Sequence, residues 1–494
     1  MTIHVLQSRT RHAIFIVSLI ALMFNWGVAQ ERTKEFTLED LFVGSKFSGK
    51  GISGFRWYDG GKSFTYLETD TSSQLNDIWK CDVSSGVRSK IVRAADLVVK
   101  KGAAPFSIGN YAWSPDEKSI LFTGTLTARR MKSGGNFFLY DLSRKTFKQL
   151  TQTDLEQMNI KFSPDGKSIG FVRADNLFTI DLEDGRETQL TFDGAKHVFN
   201  GHFDWVYEEE FSIIDGWQWS PDGKYIAYWQ IDENREPEFP VVNFLPLYQE
   251  MTRQRYPKAG MPNGIVKIGI ISLESKRTVW ADIGAPLDST QDIYIPRMRW
   301  TNTPGTLSVE RLNRHQNRLD LTFVDAATGK ATVILTETSN AWIDLHDDPT
   351  FLKKSDEFLW LSSRDGFLHF YLYKNNGTLV RQLTQGRWDV DRLVDVDERA
   401  GVLYFQAGIS SPINREIYTV GLDGKGFSRI TKDVGTNEAS FAPNHSVFLH
   451  TFSDANTPSR ISLRRKDGSL VRVVETGAIP ALDDYTMSPK TFFT

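Results

Sequence analysis

Residues 204–211 read DWVYEEEF, three consecutive glutamates set between aromatic residues. Like charges this close repel and resist burial, so the triplet needs either open solvent or a cation. On a strand, Glu208 and Glu210 would share one face and Glu209 would point away. On a helical turn, successive residues sit about 100° apart, so Glu209 and Glu210 can converge on one small cation. Asp204 could cap such a turn by accepting backbone N–H bonds, and Trp205, Tyr207 and Phe211 would tether it to the body. Two carboxylates held together take up a proton unless a positive charge stands between them. A peptide α-amino group, with a pKa of about 8, is such a charge. Charge-assisted hydrogen bonds of roughly 1.5–3 kcal/mol each would hold it. An acidic surface turn is the plainer alternative.

Other reactive constellations are thin. A serine hydrolase of the α/β type needs a G-x-S-x-G elbow between strand and helix. The nearest match is GISGF, Gly51 to Phe55, which lacks the final glycine. The nine histidines form no i, i+4 pair beside an acid, and Cys81 is the only cysteine. A histidine or cysteine metal site therefore has no support, and neither a metal nor a cofactor is expected. A hydrolase or lyase using paired acids in a central channel stays open, because sequence spacing does not reveal carboxylate separation.

The surrounding elements read as all-β. Short alternating runs recur between Gly, Asp, Asn and Pro turns, and amphipathic helices are scarce. One phrase marks a period: WYDGGKSFTYL from Trp57, WSPDEKSILFT from Trp113, FSPDGKSIGFV from Phe162 and WSPDGKYIAYW from Trp219. Proline sets the first corner of each turn, and Asp or Gly tolerates the next. Weaker echoes follow at Trp300, Phe351, Val396 and Phe441, which brings the count to eight. The spacing of the first four, 49 to 57 residues, suits a four-stranded blade with its loops. A wider gap after Trp219 predicts an insertion near Pro237 to Gly264 in the fourth blade. An eight-bladed β-propeller is the economical reading, because radial repetition protects the edges of many short strands; stacked sandwiches are the rival.

Composition agrees with a large globular chain: 494 residues, 40% hydrophobic, 12% aromatic, with a net charge of -3. Nucleic acid is not an expected partner, since its binders concentrate basic charge on one face. Residues 1–29 read as a signal peptide, with Arg9 and Arg11, an apolar run from Ala13 to Met23, and Gly27-Val28-Ala29 before Gln30. That run is short for a membrane span, so stable membrane insertion after cleavage is not expected. A lone cysteine in an exported chain favours a bacterial periplasm or secretion over a eukaryotic surface. Asn376-Gly377-Thr378 and Asn444-His445-Ser446 match the glycosylation pattern, as chance matches often do.

The chain resembles the dipeptidyl peptidase IV family, exported serine peptidases of the prolyl oligopeptidase clan. DWVYEEEF carries the resemblance, together with FTLEDLFVGSKF (36–47), YPKAG (256–260), ERLNRHQNRLDL (310–321), SSRDGFLHFYLY (362–373) and LTQGRWDV (383–390). It runs from about Glu35 to the last residue. The resemblance implies an eight-bladed propeller capping an α/β-hydrolase domain, and removal of Xaa-Pro or Xaa-Ala dipeptides from free N-termini. It implies that Glu209 and Glu210 bind the substrate's α-ammonium group, with Asp204, Trp205, Tyr207 and Glu208 in support. It also implies a substrate-steering arginine eleven residues before Asp141, which gives Arg130, with Arg129 next to it. The expected division is signal peptide 1–29, lead-in 30–52, propeller 53–480, and 481–494 as the start of a passage into a hydrolase domain. ALDDYTMSPKTFFT at the end resembles that passage, so the catalytic serine, aspartate and histidine are expected beyond Thr494, and this chain alone is expected to hydrolyse nothing. Homodimerisation through propeller extensions is a further implication. A stand-alone exported propeller that binds peptides or a partner protein, with no enzymatic role, is the competing expectation.

Overall fold

The computed structural model describes residues 34–124, 134–284, 292–346, 349–485 and 487–491. The expected signal peptide and Arg129 and Arg130 lie outside them. Among the described residues the strands form eight blade sheets in chain order: 53–92, 111–149, 157–189, 198–280, 293–338, 350–382, 390–429 and 436–475. This is the eight-bladed β-propeller expected from the repeat. Each sequence anchor lies on the first strand of its blade or, in blade four, on a short strand at the same edge. Seven blades are simple antiparallel meanders of four consecutive strands. Blade four carries the insertion, a hairpin of Glu238–Asn243 paired with Glu250–Arg255.

The repeated turn has a shared hydrogen-bond logic. In blades two, three and four, the hydroxyls of Ser114, Ser163 and Ser220 donate to Asp116, Asp165 and Asp222 at 2.6–2.7 Å. Those hydroxyl oxygens also accept the N–H of Ser119, Ser168 and Tyr225 at 2.9–3.0 Å. The serine therefore ties both ends of the turn while the aspartate stiffens its middle. The fourth corner is left-handed, with φ +72° at Gly166 and +69° at Gly223. Blade two places Glu117 there at +56°, a conformation that favours glycine.

Among the described residues no strand is shared between the first and last blades. Side chains join them instead. Trp57 Nε1 donates to Ser440 Oγ at 3.2 Å, and Arg472 Nη2 donates to the carbonyls of Val83 and Ser84 at 3.0 and 2.7 Å. Ala442, Val447 and Leu463 form a small apolar cluster there with Trp57 and Val83. The largest buried cluster runs through blades four to six and includes the aromatic residues around the glutamates.

The chain divides into two compact units. Ile52–Phe452 with Ser462–Val474 is the larger. The smaller combines the described residues before Ile52 with Ser453–Ile461 and those from Glu475 onward. In it, Thr37 and Asp40 form a capping box on the helix Leu38–Phe42. Tyr485 stacks on Phe36 at 4.4 Å and donates to Asp40 at 3.0 Å.

Candidate functional site

The first-strand edge of blade four is interrupted where the glutamates occur. Val198–Asn200 and Trp217–Trp219 both pair antiparallel with Tyr225–Asp232, Asn200 opposite Gln230 and Trp217 opposite Tyr228. Trp229 lies at the break. Its carbonyl accepts the N–H of Gly201, and its own N–H donates to the carbonyl of Gly216, each at 2.9 Å. Gly216 also donates to the Gly201 carbonyl at 3.1 Å, closing the loop at its base. The backbones approach so closely that a Cβ on Gly216 would lie 2.6 Å from the Gly201 carbonyl carbon. Gly201 itself sits at φ +80°. Glycine at both positions thus lets the chain leave the strand, build a loop and return in register.

That loop carries the helix Trp205–Glu210. Asp204 is its N-cap and accepts the Tyr207 N–H at 3.0 Å. Helical spacing turns Val206, Tyr207 and Glu208 inward, and all three are buried. Glu209 and Glu210 are exposed at the C-terminal end. Helix carbonyls without intrahelical partners gather there, and no basic residue occupies the last turn of the helix itself, though Arg297 Nη1 donates to the carbonyl of the C-cap residue Phe211 at 3.2 Å.

Aromatic packing makes the base rigid. Phe203 stacks on Tyr207 at 5.5 Å and meets Trp229 edge-on at 5.2 Å. Phe211 contacts Tyr207 and Tyr294, both at 5.2 Å, and Trp205 packs on Tyr256 at 4.5 Å. Tyr207 is fully enclosed, and burial pushes its phenol well above the ordinary value. Its hydroxyl accepts the Ile295 N–H at 3.0 Å. Burial also raises Tyr294, with the charges of Asp292 and Glu210 adding to it, while its hydroxyl accepts from Asn263 Nδ2 at 2.8 Å.

Beneath the cap lies an acidic layer of which sequence reasoning named only Asp204. Asp204, Glu233 and Glu236 are all buried. Glu236 Oε1 accepts the Gly264 N–H at 2.6 Å. Burial first, and the Asp204 charge second, raise Glu236 far above the ordinary carboxylate range. His197 Nδ1 lies 2.8 Å from Glu233 Oε1. Asp292, buried as well, pairs with Arg235 and Arg314 and accepts the Asn263 N–H at 3.1 Å. Glu236, Gly264 and Tyr294 come from 25 or more residues further along the chain, so no local spacing announces them.

The structure therefore brings Asp204, Trp205, Tyr207, Glu208, Glu209 and Glu210 into one capped turn, while Arg130 lies outside the described residues. Two adjacent carboxylates on a fixed base can accept several hydrogen bonds from one cation. Among the described residues no group of three His, Cys, Asp or Glu side chains is disposed to hold a metal.

Residues 111–459 match the family model "Dipeptidyl peptidase IV (DPP IV) N-terminal region". "Probable dipeptidyl-aminopeptidase B" of Coccidioides posadasii is 29% identical over 403 residues, covering 74% of this chain and 44% of the relative. "Probable dipeptidyl peptidase 4" of Aspergillus flavus is 26% identical over 486 residues, covering 94% and 61%. The crystal structure of Porphyromonas gingivalis dipeptidyl peptidase 4 superposes with a TM-score of 0.82 at 29% identity, covering 93% of this chain and 65% of that one. The chain thus spans roughly half to two thirds of the length of these relatives.

Proposed function

We propose, from the premise that this chain belongs to the dipeptidyl peptidase IV N-terminal region family, that it is the substrate-gating propeller of a serine exopeptidase. In this reading Glu209 and Glu210 hold the α-ammonium group of a peptide, and Arg130 steers a substrate carbonyl. The observation that carries it is the pair of exposed carboxylates at the C-terminal end of a helix whose other face is locked in the core. An amine held at a fixed distance from the scissile bond admits only free N-termini. An internal peptide segment would leave the two carboxylates desolvated and unpaired, which costs several kcal/mol. Dipeptides with Pro or Ala in second position are the expected products.

In this reading the catalytic serine, histidine and aspartate belong to an α/β-hydrolase domain. Residues 1–29 direct export and are removed. The hairpin inserted in blade four exposes Phe244, Leu245, Leu247 and Tyr248, Leu245 at 95%, and offers an apolar face for a homodimer.

A calorimetric or NMR titration of the chain with a Gly-Pro tripeptide and with its N-acetylated form tests the reading. The free amine is expected to bind, and the acetylated peptide to fail. Glu209→Gln or Glu210→Gln is expected to weaken binding about 10- to 150-fold, the equivalent of one charge-assisted bond. Equal binding of both peptides sinks the amine trap.

A further inference from the structure

The loop that carries Glu209 and Glu210 leaves and rejoins blade four, yet a strand of blade three holds both of its legs. The strand Gln157–Phe162 pairs with Ser168–Arg173, and its register slips where Asn159 and Ile160 together stand opposite Phe171. Asn159 sits in the left-handed region at φ +55°, which asparagine tolerates better than most residues. A bulge of this kind re-aims a side chain out of the strand's alternation. Here it sends the Asn159 amide to the neighbouring loop. Nδ2 donates to the Gly201 carbonyl at 3.2 Å, on the outgoing leg, and to the Ile214 carbonyl at 3.0 Å, on the returning one. Both acceptors are carbonyl oxygens, so only the NH2 end of the amide can face them. The Asn159 carbonyl accepts Trp217 Nε1 at 2.9 Å, which fastens the strand to the loop's exit. Two residues on, Lys161 lays its ammonium 3.8 Å from the centre of the Trp217 ring and 2.5 Å from Asp215 Oδ1. The returning leg needs such support: Ser212, Ile214 and Asp215 are exposed, and Ser212 has φ +54°.

We propose that Asn159 is a positioning residue for the amine trap: one side-chain amide ties the two legs of the glutamate loop together and so fixes where Glu209 and Glu210 stand. Its functional meaning rests on the amine-trap reading, whereas the tie itself depends on no ligand. The returning leg begins at the C-cap Phe211, directly after Glu210, and Arg297 of blade five donates to the Phe211 carbonyl at 3.2 Å. Blades three and five thus both grip the leg that follows the carboxylates. Without the Asn159 amide, two carbonyls lose their shared donor and the leg is free to shift. The carboxylates then spread over more positions than one ammonium group can satisfy, and the cost of ordering them falls on the bound peptide.

Asn159→Gly removes both donors and keeps a residue at ease with positive φ, and Asn159→Asp keeps the shape while aiming acceptors at two carbonyls. Hydrogen exchange on the 494-residue chain at neutral pH reads the amides of Tyr207, Glu208, Ile213 and Gly216, each hydrogen-bonded within the loop. Both variants are expected to lose protection there by at least about fivefold, the equivalent of one ordinary hydrogen bond. The blade-three strand Ser168–Arg173 is expected to stay as in wild type. Affinity for the free-amine Gly-Pro tripeptide is expected to fall by at least about fivefold as well. Unchanged protection of the loop overturns the proposal. So does a loss shared equally by Ser168–Arg173, which would make Asn159 a general fastener of blade three, and so does undiminished affinity for the tripeptide in both variants. A wild type that binds neither the free nor the acetylated tripeptide refutes the amine trap alone, and the exchange pattern still decides the role of Asn159 in the loop.

Discussion

Tyr207→Phe isolates the link between the glutamate helix and the neighbouring blade. The Ile293–Trp300 strand pairs with Thr306–Asn313, but its register slips between Tyr294 and Arg297. Ile295 sits in that slip, wholly buried, and its backbone is served by side chains from blade four. Its N–H donates to Tyr207 Oη at 3.0 Å, and its carbonyl accepts Trp229 Nε1 at 2.9 Å. Removing the hydroxyl leaves a buried amide with nothing to donate to and creates almost no cavity. The expected cost is the desolvation penalty alone, about 1–3 kcal/mol, or roughly 5- to 150-fold in the unfolding equilibrium. Equilibrium urea denaturation followed by tryptophan fluorescence reads it as a lower midpoint at unchanged slope. Tyr66→Phe is the control, because its hydroxyl meets the half-exposed Arg88, which can turn to water. A Tyr207→Phe midpoint no lower than that of Tyr66→Phe would refute the reasoning.

Gly216→Ala forces a methyl group to 2.6 Å from the Gly201 carbonyl carbon. Its thermal midpoint should fall by the equivalent of about 1–3 kcal/mol, whereas Gly44→Ala, with no neighbour within 4 Å, tests only the penalty of its positive φ. The Ser85 N–H, then the hydroxyls of Ser85 and Ser84, hold the Asp82 carboxyl down at about 2 against an ordinary 3.8. Its folded-state pKa is the lower, so its contribution is complete above 3.8 and is lost as pH falls toward 2; Asp82→Asn should flatten the acid limb of a melting profile in that window only. Leu245→Asp combined with Leu247→Asp should convert the expected dimer to monomer by light scattering, without moving the melting temperature of the propeller.

The blade count is legible because the turn chemistry repeats in the sequence itself. Ser163, Asp165 and Gly166 appear in the same order as Ser220, Asp222 and Gly223, and the hydrogen bonds follow from residue type. The helical state of DWVYEEEF is harder to read. Strand and helix both suit its local pattern, and the decision comes from Gly201 and Gly216, which meet only when the blade forms. Glu236 and Gly264 are still less visible. Each looks like an ordinary residue of a polar loop, and their meaning depends on a return path through the inserted hairpin that no spacing rule supplies.

Among the described residues the junction between the first and last blades is bridged by an indole, a guanidinium and a few aliphatic contacts, with no ladder of backbone bonds across it. A ring joined this way resembles a split washer more than a welded hoop. Its blades can each stay intact while the gap widens, because the bonds that must break are side-chain bonds. Opening should therefore begin between Trp57 and Ser440, and the first amides to lose protection should be those that flank that gap.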